Sequence, residues 1–165
     1  IRLIELPVFN DDEVDPRFRH ITGGFLVQTP DTLKSEDASL TVATKTEPTD
    51  AQMTDLSFAF NVIKHVKSNA ILLAKDGVVV GVGAGQMSRV QAVEIAIKKA
   101  GEHAKGAVLA SDAFFPFNDS VQLAHEAGIN AIIQPGGSKR DQESIDLCDE
   151  KGMSMVFTGV RHFKH

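Results

Sequence analysis

The chain of 165 residues, 42% hydrophobic and 24% charged, has the length and balance of one globular domain with room for a small second lobe. Seventeen Lys and Arg against 22 Asp and Glu leave a net charge of −5, which argues against a broad basic surface for non-specific nucleic-acid binding. One cysteine, Cys148, excludes an intrachain disulfide framework, and no apolar run approaches the ~18 residues of a transmembrane helix. The acidic start IRLIELPVFNDDEVD lacks the basic n-region of a signal peptide, so a reducing, cytoplasmic setting without membrane attachment is expected. The missing initiator Met suggests a piece of a longer polypeptide.

In chain order, residues 1–9 form a short apolar stretch suited to a strand, ended by the acidic turn NDDEVDP. Gly23 and Gly24 precede Phe25, Leu26 and Val27, as in a strand entered through a tight turn. Residues 29–50 are polar and read as an extended connection, with a brief strand at 40–43. Leu56, Ala59, Phe60, Ile63 and Val66 mark one face of a helix over 55–66, with Thr54 or Asp55 as its cap. Two apolar runs, 70–74 and 78–82, flank Asp76-Gly77, a strong hairpin signal. A helix is expected over 88–104, with Val90, Val93, Ala96, Ile97 and Ala100 on one face. Strand 107–110, helix 119–127 capped by Gly128, strand 129–133, helix 140–151 stopped by Gly152 and strand 153–157 complete the series. This alternation predicts a three-layer α/β/α sandwich with a mixed sheet, antiparallel at the hairpin edge and parallel elsewhere. Composition divides the chain into a connection, 1–53, and a lobe, 54–165.

Four loops follow strands and combine glycine or proline with polar residues: GVGAGQMSR (81–89), SDAFFPFND (111–119), QPGGSKRD (134–141) and TGVRHFKH (158–165). Ligands of open α/β sheets settle beyond the carboxyl ends of parallel strands. The first loop lacks G-x-G-x-x-G, because Gly81, Gly83 and Gly85 are two apart. It reads either as a tight turn or as helix-terminal amides and Arg89 meeting an anion or polar heterocycle. Phe114, Phe115 and Phe117 could plug the core or floor a site for a flat nitrogen heterocycle beside Asp119, which could otherwise cap its helix. The chain end could equally be frayed. Six histidines and one cysteine never form H-x-E with a later P-C-x-x-C, so a deaminase-type zinc set is excluded.

Together KHVKSNAILLAKDG, GVGAGQMSR, ASDAFFPFND, IIQPGGS and FTGVRHFKH resemble the bifunctional purine-biosynthesis enzyme family that joins 5-aminoimidazole-4-carboxamide ribonucleotide (AICAR) formyltransferase to inosine monophosphate (IMP) cyclohydrolase. GGFLVQ resembles the family's sequence between its two formyltransferase lobes. The resemblance implies the carboxyl-terminal lobe of the formyltransferase region, cytidine-deaminase-like without zinc. GAGQMSR stands where a deaminase would place H-x-E, and FFPFND where P-C-x-x-C would fall. The implied reaction moves a formyl group from the co-substrate 10-formyltetrahydrofolate to the exocyclic amine of AICAR, with no metal.

Carried over residue by residue, the resemblance implies that Asn69 contacts the carboxamide region and the formyl centre, supporting catalysis. Arg89, Phe114 and Arg161 would contact nucleotide, Arg161 through its phosphate. Val90, Asp119, Ser138 and Lys139 would meet the folate, and His165 stands near the phosphate site. The family's proton-accepting Lys-His pair belongs to the preceding lobe; Lys64-His65 repeats the dipeptide at a helix end and reads as solvated. An aminoimidazole amine is a poor nucleophile, so attack needs a base and a donor for the developing oxyanion. Asn69 is the expected donor. The resemblance further implies a homodimer with sites at the interface, alongside the other lobe and the cyclohydrolase domain. The alternative is a ligand-binding or dimerisation lobe, inactive in isolation.

Overall fold

The computed structural model describes residues 4–5, 16–162 and 164; most of the strand expected over 1–9, and His165, lie outside them. The chain forms two compact units, Ile1–Thr32 and Leu33–His165, so the division falls earlier than the composition shift at 53. In the first unit β1 (Arg17–Ile21) pairs antiparallel with β2 (Gly24–Gln28) through a turn in which Gly23 takes φ +82°. β1 has no counterpart in the sequence reading, because the alternation of Arg17, Phe18 and Arg19 breaks at His20 and Ile21.

The second unit is a six-stranded mixed sheet. Its elements are β3 (Thr41–Val42), α1 (Asp50–Ile63), β4 (Ile71–Lys75), β5 (Val78–Gly83), α2 (Arg89–Ala100), β6 (Val108–Ser111), α3 (Asp119–Glu126), β7 (Ala131–Gln134), α4 (Asp141–Lys151) and β8 (Ser154–Phe157). The strand order is β3-β8-β7-β6-β4-β5. Only the neighbouring pairs β6–β7 and β7–β8 are parallel; β4 is antiparallel to both β5 and β6, and β3 is antiparallel to β8. The parallel part is therefore smaller than expected. The cause is the crossover through α2, which carries the chain from β5 past β4 and leaves β4 between two strands that run the same way and opposite to it.

Period-two burial sorts the strand side chains to two faces. Ile71, Leu73, Leu109, Ile132 and Met155 pack with Ala92, Val93, Ala96, Val121, Ala124 and Cys148, on the face covered by α2, α3 and α4. Leu72, Ala74, Val108, Ala110, Ile133 and Val156 pack with Leu56, Ala59, Phe60 and Ile63 of α1. Each fully buried Leu, Ile, Val, Phe or Met contributes about 1.5–3 kcal/mol of transfer free energy.

α1 begins earlier than its apolar face implies. Thr49 Oγ1 accepts from Gln52 N at 3.2 Å, and Gln52 Oε1 accepts from Thr49 N at 2.8 Å, a reciprocal capping box. Neither Thr54 nor Asp55 caps it. Asp55 instead accepts from the Asp76 and Gly77 amides at 2.9 and 2.8 Å, tying α1 to the β4–β5 turn. Asp76 and Gly77 take φ values of 53° and 71°, as an Asp-Gly hairpin turn requires. α2 gives way to a 3-10 turn over Gly101–Ala104 rather than continuing as α-helix.

Candidate functional site

Strand register assembles the site. Ile71 pairs with Gly83 on one side and with Ser111 on the other. The amino end of β4 therefore lies at the same sheet edge as the carboxyl ends of β5 and β6. Residues just before 71 and just after 83 and 111 must converge there. They enclose a cavity of about 460 Å³ lined by Asn69, Met87, Ser88, Arg89, Val90, Ala113, Phe114, Pro116, Phe117, Asp119 and Arg161.

The glycines of GVGAGQMSR serve packing. A Cβ on Gly83 would lie 1.9 Å from the Ala92 carbonyl oxygen, and one on Gly81 would lie 2.3 Å from that of Ala96. β5 thus presses directly on the backbone of α2, whose facing residues are alanines. This contact sets the height of α2 and brings Arg89, its first residue, inward.

Arg89 is buried, not displayed to solvent. Its Nη1 donates to the Ala70 carbonyl at 3.0 Å and to Asp112 Oδ1, forming a buried ion pair. Its Nη2 donates to Asn69 Oδ1 at 3.1 Å. Asn69 Nδ2 donates to the carbonyls of Gln86 and Met87 at 3.0 and 3.3 Å. The Asn69 amide hydrogens are thus already engaged, so the expected oxyanion donor is not poised to donate in this arrangement.

The three phenylalanines divide. Phe115 is core, 0% exposed, while Phe114 and Phe117 line the cavity. The loop's path is set by two buried polar side chains: Gln134 Oε1 accepts from the Phe115 amide at 3.0 Å, and Ser111 Oγ donates to the Ala113 carbonyl at 2.6 Å. Phe117 is half exposed beneath the Arg140 guanidinium, 4.7 Å from the ring centroid. Arg140 is held by Glu143 through bonds of 2.7 and 2.6 Å. That hydrogen-bonded pairing raises the Arg140 pKa and lowers the Glu143 pKa. Asp119 opens α3 at the exposed rim and accepts from the Ser120 amide at 2.7 Å. It does not act as a side-chain N-cap; that position belongs to Asn118.

The chain end is ordered rather than frayed through 162. His162 N donates to the Asp112 carbonyl at 2.9 Å, and the His162 ring lies 4.4 Å from that of Phe60. Lys164 N donates to Ser68 Oγ at 3.2 Å, and Ser68 N donates to the Lys164 carbonyl at 2.9 Å. These contacts hold Arg161 at the cavity.

Six of the eight residues to which the resemblance assigned a nucleotide or folate contact therefore line one cavity: Asn69, Arg89, Val90, Phe114, Asp119 and Arg161. Ser138 and Lys139 are not among its lining residues. The Gly137 and Ser138 amides are taken by Asp141 Oδ2 at 2.6 and 3.1 Å, which closes that loop on itself. Lys64 and His65 also stand apart from the lining, and Lys64 Nζ donates to the Leu33 carbonyl at 2.7 Å. Among the described residues, no group of three His, Cys, Asp or Glu is placed to hold a metal.

Met87, Asp112 and Gln134 are the residues whose individual roles sequence reasoning missed. A signal existed for two of them. Asp112 and Gln134 each stand at the end of an apolar strand run, where a polar side chain is buried and must find a partner.

A family model described as AICARFT/IMPCHase bienzyme matches residues 1–99. The bifunctional purine biosynthesis proteins PurH of Oceanobacillus iheyensis, Anoxybacillus flavithermus and Halalkalibacterium halodurans are each 56% identical to this chain over 165 residues. Each match takes in 100% of this chain and 32% of the relative, so the chain spans about a third of the length of the curated relatives it matches. Among solved structures, RibD of Acinetobacter baumannii is similar at 12% identity with a TM-score of 0.45, over 65% of this chain and 34% of that one.

Proposed function

The chain belongs to the AICARFT/IMPCHase bienzyme family, and from that premise we propose that its cavity is the ligand-binding part of an AICAR formyltransferase site. In this reading the chain is the carboxyl-terminal, deaminase-like lobe of the formyltransferase region and works in IMP biosynthesis. The observation that carries the proposal is the convergence of Asn69, Arg89, Val90, Phe114, Asp119 and Arg161, drawn from four separate segments, on one cavity.

The chemistry is acyl transfer. The exocyclic amine attacks the formyl carbon of 10-formyltetrahydrofolate, the bond from that carbon to N10 breaks, and N10 takes up a proton. Phe114 and Phe117 offer flat apolar walls to the two heterocycles, and Asp119 accepts N–H bonds from the pterin edge. Arg161 binds the nucleotide phosphate at the outer rim. Asn69 and Arg89 meet the carboxamide at the inner wall. The proton acceptor is a histidine of the family's preceding lobe, so this chain holds part of each site and the assembled enzyme is a cytoplasmic homodimer. No step needs a metal.

The test is calorimetric titration of the parent, Arg161→Ala and Asp119→Ala with AICAR and with 10-formyltetrahydrofolate. Arg161→Ala is expected to weaken AICAR by about 30- to 150-fold, the worth of one charge-assisted contact, while sparing the folate. Asp119→Ala is expected to show the opposite bias. Equal losses across all four variant affinities, with the fold intact by circular dichroism, would remove the assignment. The isolated chain is expected to bind without turning over.

A further inference from the structure

We propose that Asp112 is a positioning residue that sets the specificity of this site: by neutralising Arg89 it makes the inner wall select a neutral polar group, and by orienting Arg89 it fixes the Asn69 carboxamide. The inference rests on the reading of the cavity as an AICAR site and assigns the source of its discrimination.

Asp112 is 1% exposed and does not line the cavity, so it acts only through its neighbours. Its Oδ1 accepts from Arg89, and its Oδ2 has no hydrogen-bond partner among the described residues. A buried carboxylate with one idle oxygen is costly, and the adjacent guanidinium is its charge partner. A guanidinium offers five N–H groups in a rigid fork. Three are engaged, by the Ala70 carbonyl, Asp112 and Asn69, on a residue that lines the cavity.

The remaining donors belong to a pair with no net charge. A ligand carbonyl oxygen accepts from them at little cost. A carboxylate in the same place would meet the negative charge of Asp112 behind the guanidinium and would lose its water without net compensation. The wall therefore favours the carboxamide of AICAR over the corresponding carboxylate.

The second effect concerns orientation. Asn69 Oδ1 faces a guanidinium donor while its Nδ2 faces two carbonyls, so only one of its two amide orientations is satisfied. Arg89 and the two carbonyls together set that orientation, Arg89 through the one bond to Oδ1, and Asp112 holds Arg89.

The experiment compares the isotope-labelled parent chain with Asp112→Asn by two readouts. The first needs no ligand. The Asn69 side-chain amide, assigned by its disappearance in Asn69→Asp, is expected to exchange slowly with water in the parent. In Asp112→Asn it is expected to exchange rapidly, while the exposed Asn130 amide stays unchanged.

The second readout is titration with AICAR and with the nucleotide bearing a carboxylate in place of the carboxamide. The parent is expected to prefer the carboxamide, and Asp112→Asn to shift the ratio toward the carboxylate by about 10-fold or more, as unmasking a buried charge implies. The double variant Arg89→Gln/Asp112→Asn has no unpaired buried charge, and takes the same measurements should Asp112→Asn fail to fold. It should free the Asn69 amide without any gain for the carboxylate.

An Asn69 amide unmoved in either variant, or a selectivity ratio within twofold of the parent's in Asp112→Asn, would overturn the inference. A proportional loss for both nucleotides would also overturn it, since that is what a purely structural role predicts. If neither nucleotide binds the parent, the AICAR reading and the specificity it assigns fail together, while the amide readout still decides the positioning role.

Discussion

Gly83→Ala tests how the site is built, because it perturbs one contact whose obstacle cannot swing away. The added Cβ would stand 1.9 Å from the Ala92 oxygen, 2.7 Å from its carbonyl carbon and 2.9 Å from its Cα, all main-chain atoms of α2. Ordinary contact begins at 3.4 Å, so α2 would have to withdraw by about 1.5 Å in a close-packed interior. That movement loosens Ala92, Val93 and Ala96 and draws Arg89 away from Asp112. Overpacking a core commonly costs 1–3 kcal/mol, and a rigid backbone obstacle places this substitution at about 3 kcal/mol. For a unit of this size the loss corresponds to about 6–12 °C in Tm. Urea unfolding monitored by circular dichroism supplies the free energy, with Gly24→Ala as the control, since nothing lies within 4 Å of its Cβ. A loss below ~1 kcal/mol for Gly83→Ala would refute the close-approach argument, since 1 kcal/mol is the low end for overpacking.

Asp55→Ala removes the carboxylate that receives two hairpin amides, and is expected to cost about 1–2 kcal/mol in urea unfolding, because the turn is exposed enough for water to replace part of the bond. Cys148 has its thiol pushed from 9.0 up to about 12, first by burial and then by the Asp149 charge. Above pH ~9 the unfolded chain releases this proton while the folded chain keeps it, so stability is expected to fall with rising pH by about 1.4 kcal/mol per unit until pH ~12. Cys148→Ala should abolish that slope in pH-dependent unfolding, and an unchanged slope would assign it to another group.

The local signals in the sequence determined most of the second unit. The 3-4 spacing of Leu56, Ala59, Phe60 and Ile63 placed α1 against an apolar face, and Asp76-Gly77 placed the hairpin turn, because both depend on residues close in the chain. Boundaries were less legible where a polar cap sits outside the apolar pattern. α1 starts at Asp50 because Thr49 and Gln52 satisfy each other's amides, a signal independent of hydrophobicity.

Tertiary structure decided the rest. Periodicity carries no information on strand neighbours, so only the sheet showed β4 lying antiparallel between β5 and β6. That order alone brings Asn69, Arg89 and Asp112 together across segments separated by about twenty residues each. The loop sequences marked Arg89 and Asp119 as polar residues near a ligand face. Whether Arg89 would be buried depended on β5 and α2 touching through Gly81 and Gly83. Arg89 consequently faces a carboxylate from the loop after β6, whereas Asp119 remains at the solvent rim, because charge pairing is a property of proximity in space rather than of spacing along the chain.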